Sequence, residues 1–193
     1  CVKKGGVASS TRRWRKGRRL IKDIEAKKIC SIKRLLVNLE ISTNTKIVKT
    51  ALRFKPNFIC IVPENRKEVT TEGGLDLEKN KDKIKKILGK FKKNNIRTSL
   101  FINPSVNDIK ISKEIKSDCV EIHTGKLANL VKLKKNYNIE LQKINKCSIL
   151  GEKLGLEVHA GHGLDYKTAK LLTKIKQIKE FNVGHYLIGE SIF

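Results

Sequence analysis

What most constrains this chain is a serial alternation. Short β-prone apolar runs at 35–41, 58–62, 96–102, 119–123, 156–160 and 181–183 are each followed by a segment with helical spacing, and no hairpin signal separates them. Strands joined through helices pair in parallel with right-handed crossovers, which leaves a doubly wound sheet or a closed barrel. The polar residues at the strand ends favour the barrel. Glu40, the run Thr70-Thr71-Glu72-Gly73-Gly74, Asn103, His123-Thr124-Gly125, Gly161-His162-Gly163 and Gly184-His185 each follow or close a strand. In a barrel these ends meet at one mouth, whereas in an open sheet they spread along an edge. The expected fold is therefore a TIM-type (β/α)8 barrel, incomplete here: six β/α units are readable and the N-terminal strands are missing or degenerate.

Length agrees with an incomplete barrel, since 193 residues fall short of the ~250 such a fold typically takes. The chain opens on Cys1, contains no Met and ends within an apolar run, so the expectation is a fragment truncated at both ends. The division expected is a degenerate basic segment, 1–21, in place of the second strand and its loop, followed by a partial barrel domain, 22–193. Within 1–21 five arginines crowd into positions 12–19 and apolar periodicity is weak, which favours a disordered tail. The next segments are expected to form a helix striped by Ile24, Ile29 and Ile32, and a later helix capped by Ser42 or Thr43. The helical region 126–154 should break near Tyr137 and Asn138.

A formal net charge of +24 would ordinarily point to nucleic acid. Its distribution argues otherwise, because most of the basic residues are lysines scattered over helical segments among Ile, Leu and Asn, the pattern of solvated outer faces. Five cysteines without a CxxC pair read as reduced thiols, with Cys60 and Cys119 filling buried strand positions. No apolar stretch approaches the ~18 residues of a membrane span and no signal peptide precedes the first strand, so a cytoplasmic protein is expected.

The richest chemistry lies between Lys55 and Leu77, KPNFICIVPENRKEVTTEGGLDL. A buried strand stops at Pro63 and delivers a loop of charges, hydroxyls and paired glycines whose main-chain N–H groups are free to face an anion. Glycine-flanked histidines follow the last two strands, in HAGHGLDY and NVGHYLIG, where barrels commonly hold phosphate. Glu40, closing VNLEI, would trade protons near neutral pH if partly desolvated at the mouth, and His162 is its natural partner. In EIHTG, alternation sends Glu121 and His123 to one side and Ile122 to the other. No HxH or HExxH spacing supports a metal site built from His123, His162 and His185.

Taken together, VNLEI, KPNFICIVPENRKEVTTEGGLDL, RTSLFI, VEIHTGKLA, LGLEVHAGHGLDY and FNVGHYLIG resemble, in order, the pyridoxine 5'-phosphate synthase family of vitamin B6 biosynthesis. The resemblance implies a cytoplasmic, homo-oligomeric α/β barrel that condenses 1-deoxy-D-xylulose 5-phosphate with 3-amino-2-oxopropyl phosphate. Pyridoxine 5'-phosphate, phosphate and water result, with no metal or organic cofactor. It implies Glu40 as proton acceptor and His162 as proton donor. Thr70 would contact the deoxyxylulose phosphate, while Gly163, Gly184 and His185 would bind the aminooxopropyl phosphate. Glu72, Glu121 and His123 would stand around these groups.

The departures lie at the N-terminus. The family's first strand is absent, and a second-strand motif like VHxRxDxRHI falls, counting back from Glu40, on Arg13, Arg15 and Leu20. Only Arg15 and the Arg18-Arg19 run remain there for phosphate, and both histidines are lost. These 193 residues are accordingly expected to be inactive and poorly soluble. The competing readings are a basic, non-catalytic nucleic-acid-binding protein using the 12–19 arm, with Trp14 as a stacking residue, or another phosphate-binding barrel enzyme.

Overall fold

Seven strands pair in chain order into one sheet, every neighbouring pair parallel: β1 (Ser10–Trp14), β2 (Val37–Ile41), β3 (Phe58–Ile61), β4 (Arg97–Ile102), β5 (Cys119–His123), β6 (Glu157–Gly161) and β7 (Ile178–Asn182). Between and after them run α1 (Asp23–Cys30), α2 (Thr45–Phe54), α3 (Leu77–Lys92), α4 (Val106–Glu114), α5 (Gly125–Lys132), α6 (Asn138–Lys153), α7 (Tyr166–Leu172) and α8 (His185–Glu190). The computed structural model describes residues 22–32, 34–64 and 73–190, except the side chains of His185 and Ile188, together with the backbone of 10–14.

A sheet wound in one direction keeps its crossover helices on one face, and the residues divide accordingly. Leu39, Ile41, Ile59, Ile61, Leu100, Ile102, Val120, Ile122, Val158 and Ala160 join the main core with apolar residues of the helices. Among these, Ile84, Leu88 and Phe91 of α3 are essentially inaccessible, each worth about 1.5–3 kcal/mol in removed apolar surface. Among the described residues the other face carries a small separate cluster of Cys60, Val62 and Phe101, among buried Asn38, Ser99, Glu121, His123 and His159. Apolar outside and polar inside, the sheet curls as part of a barrel.

Several local details differ from what the sequence suggested. Ser10–Trp14 forms a strand, with Ser10 opposite Val37 and Arg13 opposite Glu40, where a disordered tail was expected. Parallel pairing is a main-chain interaction, so the neighbour β2 supplies what the segment's own composition does not. Of the expected stripe Ile29 packs partly buried against the core, but the buried residue of α1 is Ala26, Ile24 is exposed, and Ile32, also exposed, lies beyond the helix. Asn44, not Ser42 or Thr43, caps α2, its Oδ1 accepting from the N–H groups of Lys46 and Ile47. The expected break is present between α5 and α6, and the last strand runs 178–182 instead of 181–183.

Candidate active site

Strand register assembles the site. On the inner face Glu40 stands opposite Cys60, Cys60 opposite Ser99, Phe101 opposite Glu121, Glu121 opposite His159, and His123 opposite Gly161. Because every strand is parallel, Glu40, His123 and Gly161 all sit at C-terminal strand ends, and His162 follows directly.

Two carboxylates come together around a thiol. Cys60 Sγ donates to Glu121 Oε2 at 3.8 Å. Burial, then the charges of Glu121 and Glu40, push this thiol well above its ordinary range, so it stays protonated and serves as a donor. Glu121 is buried, and a Cβ at Gly161 would overlap its Oε1, so glycine there makes room for the carboxylate.

Two imidazoles lie beside them. The rings of His123 and His162 stack with centroids 5.0 Å apart and planes 26° from parallel, and Phe101 meets both edge-on, at 5.3 and 6.4 Å. His162 has φ 81° and Gly163 has φ 72°, two successive left-handed residues that turn the chain sharply at the mouth. The Thr124 hydroxyl lies 2.8 Å from the Gly161 carbonyl and 2.7 Å from that of His162, and Thr124 N donates to Gly161 O. The adjacent helix α7 is capped by Asp165, which accepts from Thr168 N at 2.7 Å.

The loop after β3 reaches the same end. Its described root, Gly73-Gly74, rests on the end of β4: Gly74 N donates to Asn103 Oδ1 at 2.9 Å, and Leu75 N donates to Phe101 O at 2.8 Å. Asn103, directly after β4, thereby anchors the root of the loop. Thr70, Glu72 and Arg15 lie outside the described residues. Gly184 is exposed in the turn between β7 and α8, and His185 opens α8.

A second polar cluster, missed in the sequence, occupies the opposite end of the inner face. Arg97 Nη2 donates to Glu157 Oε2 at 3.0 Å and to Cys119 Sγ at 3.2 Å, and His159 Nε2 lies 2.8 Å from Glu157 Oε1. These residues line a cavity of about 70 Å³ with Asn38, Ser99 and Glu180. Burial would raise the Glu157 carboxyl, but His159 and Arg97 hold it below its usual value. Burial pushes the Cys119 thiol up to about 12, the guanidinium offsetting only part. Cys119, Glu157 and His159 have metal-like proximity; the Arg97 cation already occupies the thiol and the carboxylate, which makes the group an ion-paired plug. HAGHGLDY thus splits, His159 facing the plug and His162 the mouth.

Among the described residues, no helix is long and apolar enough to cross a membrane. A parallel β/α sheet of one winding sense, with carboxylates and imidazoles gathered at the C-terminal strand ends, defines an α/β enzyme of partial-barrel form. The chain belongs to the family described as pyridoxal phosphate biosynthesis protein PdxJ, whose profile matches residues 1–193. It is 60% identical over 191 residues to the pyridoxine 5'-phosphate synthase of Pelagibacter ubique (strain HTCC1062), covering 99% of this chain and 80% of that relative. The enzyme of the same name from Nautilia profundicola is 39% identical over 213 residues, covering 100% of this chain and 82% of the relative. Among solved structures, the PaMucR phosphodiesterase in its c-di-GMP complex is alike in fold, with TM-score 0.52 at 12% identity over 79% of this chain and 65% of that one.

Proposed function

We propose that this chain is built for the reaction its relatives are named for, joining 3-amino-2-oxopropyl phosphate to 1-deoxy-D-xylulose 5-phosphate to give pyridoxine 5'-phosphate, phosphate and water. The observation that carries the reading is the gathering of Glu40, Glu121, His123 and His162 at one end of the sheet, with the Cys60 thiol under the influence of both carboxylates. Amine addition to a carbonyl, the dehydrations and the aldol-type closure each move protons, and within this set the Glu40 carboxylate and the His162 imidazole can accept and return them. In this reading Glu40 accepts a proton and His162 donates one. Thr70 contacts the deoxyxylulose phosphate, Arg15 binds a substrate phosphate, and Gly163, Gly184 and His185 bind the aminooxopropyl phosphate. Two anchored phosphates hold the reacting carbons in place, so binding energy far from the chemistry is spent on orientation. The architecture proposed is a (β/α)8 barrel to which the seven parallel strands contribute, in a homo-oligomer acting on two small phosphorylated substrates without a metal or organic cofactor.

The test is formation of pyridoxine 5'-phosphate from the two substrates. It compares the chain as it stands with one carrying Arg13→His and Leu20→His, which restore the second-strand histidines. Turnover is expected to rise in the restored chain and to fall at least ~100-fold on adding Glu40→Gln or His162→Asn, with circular dichroism unchanged. Turnover unaffected by either substitution would overturn the assignment.

A further inference from the structure

We propose that His123 is a positioning residue whose imidazole is the platform on which His162 is aimed. The inference rests on the reading of His162 as proton donor and adds what holds that donor in place. His162 is a difficult residue to fix: it lies beyond the last pair of β6, in a left-handed conformation sparsely populated by residues with a Cβ. Three neighbouring groups of EIHTG act on it. Thr124 holds the backbone, its hydroxyl within bonding distance of the Gly161 and His162 carbonyls.

Gly125 supplies the space, since a Cβ there would lie 2.9 Å from His123 Nε2 and 2.9 Å from His162 Cδ2. His123 supplies the surface, its ring stacked under that of His162 and itself buried and steadied by the edge of Phe101. A ring packed over one face restricts the rotation of the His162 side chain, and a proton donor must be held to within a fraction of an ångström to be effective. His123 thus acts through His162 by shape, and a non-titrating aromatic ring should serve in its place.

The chain has four histidines, few enough for each imidazole to be followed by NMR in histidine-labelled protein, with His162→Asn assigning the His162 signal. In His123→Ala the His162 Cε1–H resonance is expected to lose the upfield ring-current displacement of the stack. In the histidine-restored chain kcat should then fall about 10-fold or more while KM for both substrates stays within about twofold. His123→Phe should keep the displacement and recover most of kcat. Gly125→Ala, which forces the rings apart while leaving His123 intact, should reproduce the loss if His123→Ala fails to fold. A His162 resonance unmoved by His123→Ala, or His123→Phe as impaired as His123→Ala, overturns the positioning role. Full turnover in His162→Asn overturns instead the functional reading beneath it.

Discussion

At the scale of single residues, the mouth depends on close approaches that tolerate no added atom. Gly161 lies against the Glu121 carboxyl group, so Gly161→Ala must displace a buried polar side chain or move β6. A loss of about 1–3 kcal/mol is expected, read as a lower midpoint in urea, and under the proposed function activity should fall further than stability because the displaced group lies beside the proposed catalytic residues. Unchanged turnover with an unchanged midpoint would show that Glu121 moves freely. Asn103 makes a different kind of contact. Its Oδ1 accepts the Gly74 N–H and so pins the root of the loop carrying Thr70. Removing that acceptor costs about 1 kcal/mol of local stability at an exposed site. Asn103→Ala should therefore raise KM for the deoxyxylulose phosphate more than that for the amino ketone, and Asn103→Asp, which keeps an acceptor, should restore it. Equal changes in both KM values would remove Asn103 from any role in that loop.

At the scale of elements, α4 carries the clearest coupling between charge and folding. Asp108 sits in its first turn, where burial first, and then Glu78 and Asp76, raise its carboxyl to about 6. A carboxyl raised on folding binds its proton more tightly in the native chain, so the native state is favoured below about pH 4 and loses ground as pH rises through about 6. Asp108→Asn removes that loss. The variant should match the parent near pH 4 and exceed it at pH 8 by about 1 kcal/mol, a figure reduced for solvent screening because Asp108 is partly exposed. Denaturation at the two pH values decides. The elements also show what the sequence made legible. β5 was read at its observed bounds because Cys119, Glu121 and His123 alternate with Val120 and Ile122, and both faces are buried. The stripe of α1 misled because a helix of 8 residues offers too few turns for isoleucine spacing to fix its buried face. That Glu40 and His162 stand at the C-terminal strand ends was legible because each ends or follows an apolar run. The Arg97, Cys119, Glu157 and His159 plug was not, since only Glu157 and His159 are neighbours in sequence and the four meet only when the registers of β4, β5 and β6 are known.

At the scale of the whole molecule, two opposed features govern behaviour in solution. The sheet order ends on β1 and β7, and among the described residues no pairing joins them; a strand at the end of a sheet offers its outer main-chain donors and acceptors to another chain. Such groups invite pairing with another copy. Against this stands the net charge of +24, spread over helices that face outward, which makes any two chains repel. Which effect wins depends on salt. The screening length is about 30 Å at 0.01 M and about 3 Å at 1 M, so repulsion acts well beyond contact in the first case and hardly beyond it in the second. The protein should therefore remain dispersed at low ionic strength and associate as salt is raised, with infrared absorption gaining the signature of intermolecular strands. Because the apolar face of the sheet is covered by helices, association through the edges should be reversible on dilution into low salt and should leave the helical circular dichroism intact. Light scattering across a salt series tests this: a hydrodynamic radius that is constant from about 0.01 to 1 M, or aggregates already present at the lowest salt, would show that edge pairing and charge repulsion do not set the balance.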